Sequence, residues 1–283
     1  MTMIYLFPGQ GSQKIGMGQE LFERYPQMVA EADDILGYPI AKLCLEDPEG
    51  CLNLTQYTQP ALYVVNALSY FAQREDNIVP QADYAAGHSL GEYNALLAAQ
   101  AFDFATGLKL VQKRGWLMSE TEPGGMSAII GLTLEKIQDV FQSLNINTVD
   151  IANLNSPTQI VISGPPADLD HIDPACKKAG AKLVVRLNVS GSFHSRYMKP
   201  ASLLFSQFLQ GFTFSPLNMP VIANSTATPY ENHEIALRLT EQIYSPVRWT
   251  DTIHYLFKTP QPEFKELGPH GVLTKLVKQI TET

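Results

Sequence analysis

The chain opens with a short apolar run and continues with longer stretches of helical periodicity. The run MIYLF is followed at once by Pro8 and Gly9, which is the pattern of a buried parallel strand. The segments GQELFERYPQMVAEADDIL and TQPALYVVNALSYFAQ carry apolar residues at a period of about 3.6 and predict two helices. The first part of the chain therefore reads as strand, helix, helix.

The same alternation continues downstream. DYAAGHS predicts a second buried strand and LGEYNALLAAQ the helix after it. Asp103 is placed as the N-cap of a further helix over FATGLKLVQKRGWLMSE. Strands that alternate with helices in this way predict an α/β fold with a parallel sheet covered on both faces.

A different pattern begins after EPGGM. From MSAIIGL to AKLVVRLNVS the predicted elements follow the order β-α-β-β-α-β, which is typical of a ferredoxin-like unit. We expect residues 123–195 to form a small ferredoxin-like subdomain, inserted into a large α/β subdomain made of residues 1–122 and 196–283. The rest of the large subdomain is predicted as a helix over MKPASLLFSQFLQG, a strand at PVIANS and a C-terminal pair of helices. Such an insertion predicts a cleft between the subdomains, where ligand sites commonly lie.

Composition and charge narrow the functional classes. Of the 283 residues, 45% are hydrophobic and 17% charged, and the net charge is −8. This balance is typical of a globular protein, and the absence of a basic stripe argues against a nucleic-acid partner. No run approaches the roughly 18 apolar residues of a membrane span, and the N-terminus does not resemble a signal peptide. The three scattered cysteines and dispersed histidines predict neither disulfides nor a metal site, so we expect a cytoplasmic protein without a membrane partner.

The most informative motif is GHSLG, in which Ser89 stands between two glycines in the pattern G-x-S-x-G. Between a buried strand and a helix, this pattern predicts a nucleophile elbow that presents the serine hydroxyl clear of the sheet. The helix that follows directs its free N–H groups toward the same point and can stabilise an oxyanion. The alternative is a glycine-flanked turn that merely contains a serine.

A serine nucleophile needs a base, and the chain offers six histidines. His88 is adjacent to Ser89, but side chains of adjacent residues generally point apart. His194 follows the last strand of the inserted unit, at the rim of the predicted cleft, and is the candidate base. The others have no supporting pattern, although His270 in LGPHGVLT stays in reserve; they are His171, His233, His254 and His270.

The loop PGQGSQKIGMG tests whether the chain binds a nucleotide. Gly9 and Gly11 occupy the first two positions of G-x-G-x-x-G, but the third falls on Lys14, and no G-K-[ST] ending follows. The nucleotide interpretation therefore fails on spacing. A loop whose backbone N–H groups approach a developing oxyanion fits better.

Taken together, these motifs resemble one enzyme family. FPGQGSQ, TQPAL, GHSLGE, NSPTQIVISG, FHS, PVRW and ELGPHGVLT occur in the order seen in malonyl-CoA:acyl carrier protein transacylases. The resemblance runs from Met3 to Ile280 and is greatest to the free-standing, trans-acting acyltransferases that serve modular polyketide synthases. Fatty-acid transacylases are similar as well. The family fold that this implies is a hydrolase-like α/β domain with a ferredoxin-like subdomain.

The resemblance implies a catalytic role for five positions. Ser89 matches the acylated nucleophile and His194 its general base. The family has no carboxylate as third member, and the backbone carbonyl of Gln242 is expected to orient the histidine instead. Gln10 and Leu90 match the two backbone N–H donors of the oxyanion hole.

The resemblance also implies a substrate pocket. Arg114, in the helix after the serine, matches the arginine that grips the substrate carboxylate with two parallel hydrogen bonds. Leu90 and Phe193 match the malonyl-selecting forms of the family, in which Phe193 crowds out a branching methyl group. Gln59 and Asn155 match polar residues that line the pocket.

The function implied is transfer of a malonyl group from malonyl-CoA to the phosphopantetheine thiol of an acyl carrier protein, through an acyl-serine and without a bound cofactor. The carrier proteins are expected to belong to a polyketide synthase, and the enzyme to be a monomer. The alternatives are a thioester hydrolase that clears carrier proteins, a fatty-acid malonyl transacylase, a non-catalytic carrier-binding module and an ordinary α/β-hydrolase esterase. Arg114 argues against the hydrolase, since only a substrate with a free carboxylate needs it. The intact Ser89 and His194 argue against the binding module, and the missing HGGG-type loop argues against the esterase.

Overall fold

Two separate four-stranded sheets organise the chain in the computed structural model, which describes residues 1–76, 81–269 and 271–282. The strands are β1 (Thr2–Phe7), β2 (Tyr84–Gly87), β3 (Gly125–Ile130), β4 (Asp150–Ser156), β5 (Gln159–Gly164), β6 (Leu183–Arg186), β7 (Val221–Ile222) and β8 (Pro262–Glu266). The helices are α1 (Gln19–Arg24), α2 (Pro26–Leu36), α3 (Ile40–Leu45), α4 (Thr55–Glu75), α5 (Gly91–Ala98), α6 (Phe104–Ser119), α7 (Leu134–Ser143), α8 (Pro166–Lys178), α9 (Lys199–Leu209), α10 (Ile235–Tyr244), α11 (Trp249–Phe257) and α12 (Val272–Thr281).

The first sheet is parallel, with strand order β7-β2-β1-β8. Every residue of β1 is buried. Because successive side chains of a strand point to opposite faces, Tyr5 and Phe7 join the larger core under α4, α5 and α6. Ile4 and Leu6 join a second core with Trp249 and other residues of α11 and α12. The predicted parallel sheet with helices on both faces is confirmed.

The second sheet is antiparallel, with strand order β4-β5-β3-β6. Along the chain its elements run β3, α7, β4, β5, α8, β6, which is the predicted β-α-β-β-α-β order. Its outer face packs on α7 and α8 through a core that includes Ile137 and Ile172. Its other face turns Met126 and Val161 toward the main core. The two-subdomain α/β fold is confirmed, while the exact bounds at 123 and 195 stay a prediction.

The long helix α4 lies in the middle of the fold and contributes Gln59 to the predicted site. It is 21 residues long and buried along most of its length, packing against both α5 and α6. Gln59 lies in its second turn and faces the interior. Across the described ranges, no helix is both long enough and apolar enough to cross a membrane.

Four predicted elements are wrong in detail. The helix expected over GQELFERYPQMVAEADDIL is two helices, because the chain turns at Tyr25 and Pro26 begins α2 at the position where proline is tolerated. The strand expected over AKLVVRLNVS pairs only at Leu183–Arg186, and PVIANS pairs only at Val221–Ile222. The C-terminal helix pair is three helices, and β8 lies between the last two. Strand β8 was not predicted because its PEFKE sequence alternates charged and apolar residues on a half-exposed edge.

Candidate active site

Ser89 lies on the sharp turn between β2 and α5, at the carboxyl end of the parallel sheet. Its φ of 51° is in the left-handed region that non-glycine residues seldom adopt. A Cβ on Gly87 would lie 1.9 Å from the carbonyl carbon of Gly91, and one on Gly91 would lie 2.0 Å from the Phe7 oxygen. The two glycines therefore let strand, turn and helix pack in contact, which is the geometry of a nucleophile elbow.

Asn224, which follows β7, holds this elbow in place. Its Oδ1 accepts a 2.7 Å hydrogen bond from the Ser89 backbone N–H, and its Nδ2 donates a 2.7 Å bond to the Gly87 oxygen. Sequence reasoning missed this residue. Its one signal was an asparagine two residues after a buried strand that ends at the same sheet edge as β2.

A chain of hydrogen bonds runs from Ser89 through His194 to Gln242. The Ser89 Oγ and His194 Nε2 atoms are 2.7 Å apart, and His194 Nδ1 lies 2.9 Å from the Gln242 backbone oxygen. A carbonyl oxygen can only accept, so Nδ1 carries the proton and Nε2 is left to accept one from the serine hydroxyl. The arrangement can deprotonate Ser89 without a carboxylate as third member.

The electrostatic surroundings keep His194 neutral. Only 4% of the residue is exposed, and burial together with the nearby Arg114 cation lowers the pKa of His194 to about 3. The φ of His194 is also positive, at 55°. Both members of the Ser89–His194 pair thus sit in backbone conformations that the surrounding fold must enforce.

Arg114 projects from α6 into the same cavity and is 1% exposed. Its Nη1 donates a 2.6 Å bond to Gln59 Oε1, and its Nη2 donates bonds of 2.9 Å to Gln242 Oε1 and 3.1 Å to Ser89 Oγ. A buried cation whose hydrogen bonds reach the serine hydroxyl favours an anion at that point. The structure therefore places the candidate clamp beside the candidate nucleophile.

These side chains surround a cavity of about 150 Å³. At roughly 30 Å³ per water-sized group, this is room for about five such groups, the scale of a small acyl group rather than a long chain. Apolar residues of both subdomains form one wall, and the seven predicted positions Gln10, Gln59, Leu90, Arg114, Asn155, Phe193 and His194 line the cavity together with Ser89. Larger surface clefts, such as one of about 690 Å³ beside Trp116, contain none of these residues.

The two backbone N–H groups predicted to form the oxyanion hole, those of Gln10 and Leu90, are free to do so. Gln10 follows β1 and Leu90 precedes α5, so both lie at the carboxyl edge of the sheet. Within the described residues, no hydrogen bond occupies either backbone N–H. The Gln10 amide side chain contacts the Thr55 hydroxyl at 3.3 Å, while the Leu90 side chain packs in the core.

His88 points away from Ser89, as expected for an adjacent side chain. Its Nε2 lies 2.8 Å from Asn155 Oδ1, and its ring contacts Trp249 edge-on. Burial lowers the pKa of His88, so it is neutral as well. The Asn155 position predicted to line the pocket therefore also joins β4 of the second sheet to the elbow.

The remaining histidines do not contribute to the site as the structure describes it. His171, His233 and His254 are exposed on α8, on a short 3-10 turn and on α11, away from the cavity. His270, the reserve candidate, lies outside the described residues. Over those described residues, no cluster of three or more histidine, cysteine or acidic side chains is arranged to hold a metal ion.

Sequence reasoning also missed a buried acid. Glu92 lies three residues after Ser89 and is completely buried, in contact with Gln242, Tyr230 and Asn224. A glutamate within the apolar run LGEYNALLAA was the available signal.

Comparison with known proteins places the chain among acyltransferases. The family model described as "Acyl transferase domain" matches residues 4–283. A relative from Bacillus velezensis, named polyketide biosynthesis malonyl CoA-acyl carrier protein transacylase BaeC, is 52% identical over 279 residues, covering 98% of this chain and 96% of the relative.

Solved structures agree in fold over the whole chain. The malonyl CoA-acyl carrier protein transacylase of Burkholderia pseudomallei superposes with a TM-score of 0.96 at 46% identity, covering 100% of this chain and 99% of that one. A malonyl-transacylase solved in complex with a type II polyketide synthase acyl-carrier protein superposes with a TM-score of 0.94 at 37% identity, covering 100% and 94%.

Proposed function

The chain belongs to the acyl transferase domain family, and on that premise we propose that it transfers a malonyl group from malonyl-CoA to the phosphopantetheine thiol of an acyl carrier protein. The observation that carries the proposal is the joint geometry of Ser89, His194 and Arg114. A nucleophile, its base and a buried cation line one cavity of about 150 Å³. The buried cation indicates which acyl group the cavity takes: one that carries a negative charge.

The first half-reaction acylates Ser89. The malonyl carboxylate binds the Arg114 guanidinium, which places the thioester carbonyl at Ser89 Oγ. As Oγ attacks, His194 Nε2 takes the hydroxyl proton, and the N–H groups of Gln10 and Leu90 stabilise the oxyanion. The C–S bond breaks, and CoA leaves as a thiol with the proton held by His194.

The second half-reaction returns the enzyme to its starting state. His194 takes the proton of the phosphopantetheine thiol, whose sulfur attacks the malonyl-serine ester through a second oxyanion at the same N–H groups. The ester C–O bond breaks, and Ser89 recovers the proton from His194. Exclusion of water from the cavity during this step separates a transferase from a hydrolase.

Arg114 also links substrate charge to the strength of the base. After burial, the Arg114 cation is the largest cause of the low pKa of His194. A malonyl carboxylate on the guanidinium offsets that positive charge, so the imidazole accepts the serine proton more readily. An acetyl group offers no such charge, which favours malonyl over acetyl in the chemical step as well as in binding.

The partner is the second part of the proposal. The relative from Bacillus velezensis is named for polyketide biosynthesis, and the neighbouring complex holds a polyketide acyl-carrier protein against its transacylase. We therefore place the carrier proteins of a polyketide synthase as the acceptors for this chain. The monomeric state and the cytoplasmic location stay predictions from the sequence.

Intact-protein mass spectrometry tests the proposed function. After addition of malonyl-CoA, the protein is expected to gain one malonyl group, mapped by peptide analysis to Ser89. When a phosphopantetheinylated carrier protein is added, the malonyl group is expected to leave Ser89 and to appear on the carrier. Loss of the adduct to water at the same rate with and without the carrier would identify a hydrolase instead.

Phe193 sets the room beside the acyl group. The side chain is 4% exposed and lines the cavity, so replacing it with alanine opens space for a branching methyl. We expect Phe193→Ala to reduce the preference for malonyl-CoA over methylmalonyl-CoA by about 10- to 100-fold, since shape rejection of one methyl is worth about 1–3 kcal/mol. Competition between the two thioesters measures this ratio.

The matched control is Phe208→Ala, which truncates a phenylalanine of α9 outside the cavity and should leave the ratio unchanged. Thermal melting identifies any general loss of stability, because truncating a buried phenylalanine costs about 3–5 kcal/mol. An unchanged ratio in folded Phe193→Ala contradicts the assigned role.

A further inference from the structure

Glu92 is a carboxylate beneath the elbow to which the mechanism above gives no task. It occupies the second position of α5 and none of its surface is exposed. Burying an ionised carboxylate is costly unless hydrogen bonds replace its water. A charged group kept at such a place therefore needs partners, and the partners show what it holds.

Each contact to the Glu92 carboxylate comes from a donor. The Asn224 backbone N–H donates to Oε1 at 3.2 Å, and the Tyr230 hydroxyl donates to the same oxygen. Gln242 Nε2 donates to Oε2 at 2.6 Å. A backbone N–H and an amide NH₂ cannot accept a proton, so these surroundings are matched to the ionised acid.

The Gln242 side chain passes this interaction to the reacting groups. Arg114 Nη2, which can only donate, lies 2.9 Å from one amide atom of Gln242, so that atom is the oxygen Oε1. The other amide atom is then Nε2, which donates to Glu92 and, at 2.7 Å, to the Ser89 backbone oxygen. The backbone oxygen of Gln242 also accepts from His194. One residue thus contacts the candidate nucleophile, base and clamp, and Glu92 anchors its side chain.

We propose that Glu92 is a positioning residue for acyl transfer, whose ionised carboxylate fixes Gln242 and balances the charge of Arg114. The inference rests on the proposed function, because it concerns how Ser89 is acylated. A negative charge at Glu92 opposes the effect of Arg114 on His194, so the imidazolium that forms during attack is less disfavoured. Removing only this charge should slow acylation without emptying the cavity of any group that touches substrate.

The proposal predicts an acidic limb in the pH profile. The pKa of Glu92 is raised to about 7, and the largest cause is burial. The three donors and the Arg114 cation act in the opposite direction. The other titratable groups that face it do not change charge between pH 5.5 and 8.5. Burial raises the pKa values of Tyr93 and Tyr230, and the pKa of His194 is about 3. Burial lowers the pKa of Arg114, but a guanidinium stays protonated in this pH range. Below pH 7, the protonated acid has lost the negative charge that strengthens the bond from Gln242 and balances Arg114, and acylation should decline.

The experiment measures the second-order rate of malonyl adduct formation on Ser89 from pH 5.5 to 8.5, since kcat/KM reports the ionisations of the free enzyme. The wild-type rate is expected to fall about tenfold per pH unit below the midpoint. Glu92→Gln should lose this limb and react about 10²-fold more slowly at pH 8, the scale of effect that misplaced catalytic groups produce. Glu92→Asp keeps the charge and should recover the limb and part of the rate.

Glu266→Gln is the matched control. Glu266 is a buried glutamate of β8 that accepts from backbone N–H groups of α12, outside the site, and its replacement should leave limb and rate unchanged. A folded Glu92→Gln variant with the wild-type limb and rate overturns the proposal. If Glu92→Gln does not fold, Glu92→Asp decides: a displaced midpoint supports the proposal, and an unmoved one overturns it. A wild-type enzyme that forms no adduct on Ser89 overturns the proposed function and this inference together. If the wild type forms the adduct and the Glu92 variant keeps the wild-type rate and pH profile, only this inference is overturned.

Discussion

Arg114→Ala is expected to slow malonyl loading by about 10²- to 10³-fold, because it removes a desolvated charge pair worth about 2–5 kcal/mol. Acetyl loading should change far less, since an acetyl group has no carboxylate for Arg114 to bind. The loss of a buried cation 3.1 Å from the serine hydroxyl should also raise the pKa of His194, which is held low in part by that charge. Rates of adduct formation with malonyl-CoA and acetyl-CoA, measured side by side, give the ratio directly.

Two further variants separate charge from geometry. Arg114→Lys keeps a cation but lacks the planar fork, so it should recover only part of the malonyl rate. Lys109→Ala removes an exposed cation from the same helix and should leave both rates unchanged. Equal losses of malonyl and acetyl loading in Arg114→Ala would show that the residue supports the fold rather than the substrate carboxylate.

Ser89→Ala is expected to abolish the acyl adduct and to reduce transfer to carrier protein by at least about 10⁴-fold, because no covalent intermediate can form. The change removes one oxygen atom, and alanine occupies the space of the serine. The fold should therefore survive, with a thermal midpoint close to that of the wild type. Mass spectrometry and a carrier-protein loading assay, run on the same preparation, measure both effects.

Ser202→Ala provides the comparison for this variant. Ser202 is a buried serine of α9 whose hydroxyl bonds to the Lys199 backbone oxygen, far from the cavity. It should load and transfer at the wild-type rate. A malonyl adduct that persists on Ser89→Ala would identify another nucleophile and refute the assignment.

Most of the fold could be predicted because its signals are local. The strand β1 and the helices α4, α5 and α6 carry long apolar patterns, and the Asp103 cap is present, with its side chain accepting from the Thr106 N–H at 2.8 Å. The failures lie where pairing, not composition, decides. Strand β8 is an edge strand with charged residues beside β1. Its sequence PEFKE does not indicate a partner at the start of the chain, although Thr2 pairs with Pro262. The break before Pro26 had a clear signal, but apolar periodicity on both sides concealed it.

The site divides in the same way. Ser89 could be found from its glycines, and His194 could be proposed from its place at the rim of the predicted cleft. Arg114 and Gln242 could be placed only by resemblance, since their contacts join distant parts of the chain. Glu92 shows the remaining limit. A glutamate in a helix is usually solvated, and only the tertiary structure shows that this one is buried against Gln242.

The position of β8 beside β1 has a consequence for synthesis of the chain. Strand β1 lies in the interior of the sheet, yet one of its two neighbours is Pro262–Glu266, which the ribosome makes long after it. Until then β1 presents an unpaired apolar edge, the kind of edge on which partly folded chains aggregate. A chain that stops before Pro262 therefore leaves this edge of β1 unpaired and open to aggregation.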